Sequence, residues 1–267
     1  MMLTKHNFLA VMFTLVLTTQ PILQPTVVAA QPPVNTSAKV ADKLPSKLLR
    51  VIQRDIQKRF KVSPQTLRLT NARRATWDSC MGLAQPNRLC TQIAISGWQV
   101  IVSNKIQNRF WIYHVDDSGK RLGFNSTASS PRVGQTSIPN FINPQKIIPT
   151  SSSSVIFQSA QITGFSPQYY AWELTSDGVL TRRTITQNPG KPEKIKQLTQ
   201  EEVQQFISVL EKNSFSHFNG LSYLNMGAIA ADAASFQLSF GGATVEYTNP
   251  GKLAPIVSAW ENLISRN

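Results

Sequence analysis

The sequence predicts an α+β protein made of two small modules, each an antiparallel sheet packed by one or two helices. Three observations carry this. Helix-period apolar faces and alternating strand segments recur in both halves. Charge is split: residues 31–130 hold 16 Lys+Arg against 5 Asp+Glu, a net of +11, whereas residues 151–267 hold 8 against 9, a net of −1. Between the halves, Asn125–Ser154 reads NSTASSPRVGQTSIPNFINPQKIIPTSSSS, too poor in apolar residues to order itself easily. The expected organisation is a module at 41–124, a Ser/Pro-rich linker at 125–152, partly docked through Phe141, Ile142, Ile147 and Ile148, and a module at 153–267.

The first element is a leader. Lys5 and His6 precede an apolar run from Phe8 to Leu17, and Val28-Ala29-Ala30 places small apolar residues before Gln31. This pattern predicts a signal peptide over 1–30, followed by a polar tail over 31–40. The run is too short to span the ~30 Å of bilayer hydrocarbon. No cysteine lies near the cleavage point, and no later stretch predicts a transmembrane segment in the mature chain. The expected location is the periplasm or the medium. Export disfavours nucleic acid as the partner of so basic a chain.

The chain has two cysteines, Cys80 and Cys90. An isolated pair outside the cytoplasm usually forms a disulfide. The C-x9-C spacing suits neither a zinc site, which uses C-x2-4-C with further ligands, nor a C-x-x-C redox pair. Gly82, Pro86 and Asn87 make the enclosed segment a loop between strands.

In the first module, Leu44–Phe60 is a helix: Leu48 or Leu49, Ile52, Ile56 and Phe60 make one apolar face, and Pro64 stops it. Lys47, Arg50, Arg54, Lys58 and Lys61 form a basic stripe on another face. The stripe reads either as a solvated helix surface or as a site attracted to anionic polymer or lipid headgroups. Thr66–Thr70, Ile93–Ser103, Arg109–Val115 and Arg121–Asn125 read as strands, with Asp116-Asp117-Ser118-Gly119 as a turn. His114, among Trp111 and Tyr113, reads as packed rather than catalytic. The order helix, strand, W-D-x-C-M-G-L-A-x-P-x-x-x-C, then G-W-x-V-x-V (Trp77, Asp78, Cys80, Gly82, Leu83, Cys90, Gly97, Trp98) resembles exported PepSY-like, cystatin-like modules. The resemblance implies a helix across a curled sheet, an interaction or inhibitory role, and no catalytic residues.

In the second module, Val155–Gln161, Tyr169–Thr175 and Val179–Thr186 read as strands, with Ser176-Asp177-Gly178 as a hairpin turn. Thr199 and Glu202 make a capping box for a helix whose buried face is Val203, Phe206, Ile207 and Leu210. Phe215 and Phe218 pack under its end, and His217 is expected to meet the helix terminus. After a small-residue loop over 220–234, Ser235–Phe240 and Ala243–Thr248 form a hairpin about Gly241-Gly242. Leu253, Ile256, Val257, Trp260, Leu263 and Ile264 mark a last helix, giving β-β-β-α-β-β-α. The order of F-Q-S-A-Q-I-T-G, W-E-L-T-S-D-G, L-T-Q-E-E-V-Q-Q-F-I-S-V-L-E-K-N-S-F and D-A-A-S-F-Q-L-S-F-G-G resembles the emfourin family of protease inhibitors. The resemblance implies a thermolysin-like metalloprotease as partner. The chain departs from the family by about thirteen extra residues over 184–196. Its candidate contact loops, 161–168 and 220–231, carry Phe165 and Tyr223.

No H-E-x-x-H, G-x-S-x-G, phosphate-cradling loop or dinucleotide fingerprint occurs. The sequence therefore predicts no catalytic residues, no metal and no cofactor. It predicts an exported, non-enzymatic interaction protein. The sharpest version is a metalloprotease inhibitor; the alternatives are an envelope module holding anionic glycan or lipid, and a hydrolase whose site the sequence hides.

Overall fold

The computed structural model describes residues 43–85, 88–130, 137–164, 168–185, 190–230 and 233–265. The predicted leader and tail lie outside these residues. In chain order the elements are α1 (Ser46–Phe60), β1 (Arg68–Trp77), β2 (Ile95–Asn104), β3 (Arg109–Asp116), β4 (Leu122–Phe124), β5 (Asn140–Phe141), β6 (Val155–Thr163), β7 (Tyr169–Thr175), β8 (Val179–Ile185), β9 (Glu193–Gln197), α2 (Gln200–Lys212), β10 (Leu221–Tyr223), α3 (Met226–Ala230), β11 (Ser235–Phe240), β12 (Ala243–Tyr247) and α4 (Ala254–Ser265). They build a four-stranded sheet, β1-β2-β3-β4, and an eight-stranded sheet, β5-β10-β12-β11-β6-β7-β8-β9. The α+β class expected from the sequence is present. The pairings are antiparallel except β10 with β12, which run parallel because α3 and β11 intervene.

On the small sheet, Leu48, Ile52 and Ile56 of α1 pack against Trp98, Val100, Val102, Trp111, Tyr113 and Val115. These strand residues alternate along β2 and β3, so they share one face. On the large sheet, Phe157 of β6 meets Phe206 of α2 edge-on at 4.8 Å and Trp260 of α4 at 4.6 Å. Both halves of the predicted capping box start α2: Thr199 Oγ1 accepts from Glu202 N, and Glu202 accepts from Thr199 N.

The expected separation into two modules is corrected by the rear face of the small sheet. Ile101, Phe110 and Ile112 point away from α1 and are buried in one cluster with Phe157, Phe218, Leu221 and Tyr223. The described residues from 43 onward accordingly form one compact unit. The small sheet is a middle layer, with α1 on one side and the rest of the chain on the other.

The described part of 125–152 does not run as a free linker. Asn125, Ala128, Ser129 and Ile142 are buried. Asn140 and Phe141 form edge strand β5 beside β10. Residues 143–151 cross the polar face of the large sheet as a strap, and backbone polarity holds them there. Ile148 N donates to Gln237 Oε1 at 2.8 Å, Ser151 N donates to Glu173 Oε1 at 2.9 Å, and Gln158 Nε2 donates to Pro149 O at 3.1 Å. Arg183 closes the network, its Nε 3.0 Å from Glu173 Oε1, with both side chains buried. A strap short of apolar surface is thus ordered by satisfying buried polar groups that would otherwise carry a desolvation cost. Of the apolar residues expected to dock 125–152, Ile142 is buried whereas Ile147 is 43% exposed.

Candidate functional site: a basic helix face

Helix α1 presents the basic stripe. Lys47, Arg50, Arg54, Lys58 and Lys61 are all exposed. At about 100° per residue they fall within about 80° of arc and extend along about 21 Å of helix axis. Among the described residues none of the five takes part in an ion pair. The acid of the helix, Asp55, is used elsewhere: its Oδ2 accepts from Tyr113 Oη and from Arg59 Nε, each at 2.7 Å. The stripe therefore has no internal neutralisation.

The stripe is not arranged for helix stability. The first turn carries no acid, and Lys47 lies there against the positive end of the helix dipole, a placement that costs about 0.3–1 kcal/mol. Lys61, the residue that ends the helix, sits at φ 55°, a left-handed conformation that glycine adopts far more readily. Beyond it, an open hollow of about 740 Å³ is lined by Arg54, Lys58 and Lys61 together with Gln65 of the 3-10 turn Pro64–Thr66.

The disulfide loop lies at the opposite end of β1. Cys80 and Cys90 are bonded. The neighbouring motif residues have structural duties. Asp78 Oδ1 accepts from Cys80 N at 3.0 Å and from Gly82 N at 2.8 Å. Trp77 stacks on His114, with ring centroids 3.9 Å apart and planes 11° apart. A Cβ on Gly82, whose φ is +66°, would come within 2.8 Å of that indole. Gly97 is held tighter still, since a Cβ there would sit 2.1 Å from Val115 O.

The two described histidines, His114 and His217, are both engaged in hydrogen bonds within the fold. His114 Nδ1 donates to Met81 O at 2.6 Å, which leaves Nε2 to accept from Gln99 Nε2 at 3.4 Å. Burial pushes the His114 imidazole down to about 3, so it is neutral at pH 7. His217 does not meet the helix terminus expected for it. Its Nε2 donates to Ala84 O at 3.0 Å and its Nδ1 accepts from Thr127 Oγ1 at 3.0 Å, bolting the disulfide loop to the rest of the chain. Asp116 ends β3 and Asp117 opens the expected turn, and the Arg74 guanidinium beside Asp117 holds that carboxyl below its usual range.

Sequence reasoning missed Arg73, which locks the small sheet to the large one. Its Nε donates to Gln99 Oε1 at 2.8 Å, its Nη2 to Asn219 O at 3.1 Å, and its guanidinium lies 4.7 Å from the centre of the Phe141 ring. Lys252 is a second lock. Its ammonium donates to Ser126 O at 3.1 Å, to Thr127 O at 2.9 Å and to Ser129 O, and burial lowers its pKa.

The described parts of the two expected contact loops meet at one hollow, lined by Gln161, Ile162 and Thr163 from the first and by Ser222, Leu224 and Met226 from the second, but its described lining includes neither of the two aromatic residues expected to carry the contact. Tyr223 is 8% exposed and donates its hydroxyl to Ala128 O at 2.8 Å, so it belongs to the core and offers nothing to a partner. Its segment is not a plain loop either, since it contains β10 and α3. Phe165 lies outside the described residues. Among the described residues no group of three His, Cys, Asp or Glu is placed to hold a metal ion, and no helix is long and apolar enough to cross a membrane.

Residues 49–123 match the model of a family described as a domain of unknown function, DUF8738. The match covers most of α1 and runs through β1, the disulfide loop, β2 and β3 into β4, so it contains Arg50, Arg54, Lys58 and Lys61 of the basic stripe but not Lys47. No curated protein and no solved structure matches the chain.

Proposed function

We propose that the protein is an exported binding protein that attaches, without catalysis, to an anionic surface of the cell envelope through α1. The observation that carries this reading is the row of five exposed, unpaired cations on one helix face. Charges so placed attract a polyanion whatever its detailed structure, because their field adds along the row. Each cation near an anionic membrane contributes about 1 kcal/mol. Export is supported by the leader pattern, and the Cys80–Cys90 disulfide is compatible with it.

The test uses the mature chain, residues 31–267, on phosphatidylglycerol vesicles and on heparin resin. Retention should be strong at low salt and fall steeply toward physiological salt, where the Debye length is about 8 Å. Changing all five stripe residues to Gln should abolish it. No retention of the native chain at low salt, or equal retention of the Gln variant, overturns the reading.

A second reading rests on the order of motifs over 153–267: three strands, the capped α2, the β11–β12 hairpin and α4 come in the order of the emfourin resemblance, although β9 is inserted before α2, and β10 and α3 after it, so that the expected β-β-β-α-β-β-α does not hold as it stands. It makes the chain an inhibitor of a secreted thermolysin-like metalloprotease. Near-stoichiometric inhibition by the whole mature chain is the outcome that would favour it, and rapid digestion of the chain would end it.

A further inference from the structure

We propose that the anionic surface is a lipid bilayer and that Ile106, held beside the basic end of α1, inserts into it. The inference rests on the basic-stripe reading and adds the class of surface. Ile106 is 95% exposed, at the tip of the 3-10 turn Lys105–Gln107 that joins β2 to β3. An exposed isoleucine alone is ordinary; its setting gives it meaning.

The turn is rigid. Asn104, itself buried, accepts from Gln107 N through Oδ1 at 3.3 Å, and Asn108 closes the turn in a left-handed conformation at φ 47°. The turn is also tied to the end of α1. Asn104 Nδ2 donates to Thr66 Oγ1 at 3.2 Å, and Thr66 lies in the 3-10 turn beside the hollow lined by Lys58 and Lys61. An apolar tip and cations therefore share one end of the small sheet, with exposed Lys105 immediately before Ile106.

This combination fits lipid rather than glycan. Lys58, Lys61 and Lys105 suit headgroup phosphates, whereas Ile106 gains only where an apolar phase lies behind the charge. A sulfated or phosphorylated glycan would use the cations and leave Ile106 in water.

The experiment compares the native mature chain with Ile106→Ser and Ile106→Trp, on phosphatidylcholine vesicles with and without phosphatidylglycerol and on heparin. Ile106→Ser should weaken binding to the anionic vesicles about tenfold, equivalent to about 1.4 kcal/mol, and leave heparin retention unchanged. Ile106→Trp should strengthen vesicle binding, since an indole suits the headgroup boundary and a misfolded variant would not gain affinity. If Ile106→Ser binds anionic vesicles as the native chain does, the lipid inference falls while the stripe reading stands. If Ile106→Ser loses vesicles and heparin equally, Ile106 acts through the fold and the inference falls as well. If the native chain binds neither probe, the stripe reading itself falls.

Discussion

Arg73 and Gly220 should be energetically coupled, because one side chain fills the space that the missing side chain of the other leaves. A Cβ on Gly220 would lie 1.9 Å from Arg73 Nη2, and Gly220 sits at φ +71°. Arg73→Ala removes two hydrogen bonds from a charged donor, to Gln99 and to Asn219 O, and the stacking on Phe141. Hydrogen bonds of that kind contribute about 1.5–3 kcal/mol each when buried, and Gln99 Nε2 still reaches Asn219 O, so a loss of about 3 kcal/mol is expected. Gly220→Ala costs about 1–2 kcal/mol for the left-handed backbone. It also expels the guanidinium and so forfeits much of Arg73's contribution, for about 4 kcal/mol in all. In the Arg73→Ala background only the backbone cost remains. The double variant should therefore fall about 2–3 kcal/mol short of the sum of the singles. The assay is urea unfolding of the mature chain at pH 7 with the disulfide intact, followed by tryptophan fluorescence and circular dichroism. Burial lowers the Arg73 pKa only to about 10, so the charge is constant under these conditions. Additivity within about 0.5 kcal/mol would refute the reasoning, because it would mean that the guanidinium is not held against the 219–220 turn.

Three further outcomes are expected. His114 keeps its proton off in the folded state down to about pH 3, whereas the unfolded chain takes it up near pH 6.5. Stability should therefore be full above pH 6.5 and fall by about 1.4 kcal/mol per pH unit below it; His114→Gln should flatten the slope in unfolding measured at pH 7, 6 and 5, and unchanged slopes would contradict the burial argument. Replacing Cys80 and Cys90 together by Ser should cost about 2.8 kcal/mol, the chain-entropy value for a loop of about eleven residues, read as the shift in urea midpoint; a loss under about 1 kcal/mol would show that His114 and His217 hold the loop unaided. Lys61→Gly should raise stability by about 0.5–1 kcal/mol while weakening retention on anionic vesicles, since it relieves the left-handed backbone and removes a stripe charge; a destabilised variant would contradict the backbone argument.

The parts of the fold legible in the sequence are those set by local periodicity. The buried face of α1, strands β2 and β3, the Thr199–Glu202 box and the β7–β8 and β11–β12 hairpins each announce themselves within a dozen residues, whereas β1 runs on to Trp77, well past the expected Thr70, and β9 and β10 are additions to the expected strands. The parts not legible depend on distant partners. One signal was present: in Ile93–Ser103 and Arg109–Val115 the apolar residues fall on both alternating faces, the mark of a strand covered on both sides. Ile101, Phe110 and Ile112 had no role on a sheet covered only by α1, and they are what the rest of the chain packs against. The strap's apolar signal, Ile147 and Ile148, points to docking but not to the polar groups that hold it; mid-strand Gln158, Glu173 and Gln237 are the trace of those. The stripe was legible because helix period alone fixes it. The link between Ile106 and the end of α1 was not, since it runs through Asn104 and Thr66, 38 residues apart.

This packing decides how the inhibitor reading can be tested. A fragment over 153–267 would leave behind β5, which pairs with β10, and the 143–151 strap, which satisfies Glu173, Gln158 and Gln237. It would also uncover the surface against which Ile101, Phe110 and Ile112 pack. Losing the strap leaves a buried ion pair and two amides without backbone partners, at about 1–3 kcal/mol for each unsatisfied group. Such a fragment would be digested by a protease for reasons of stability alone, and its failure to inhibit would say nothing about the native surface. With the whole mature chain, digestion of Arg73→Ala faster than of the native chain would measure the stability cost directly. Inhibition retained by the stripe Gln variant would then separate any contact made by the large sheet from the charge carried on α1.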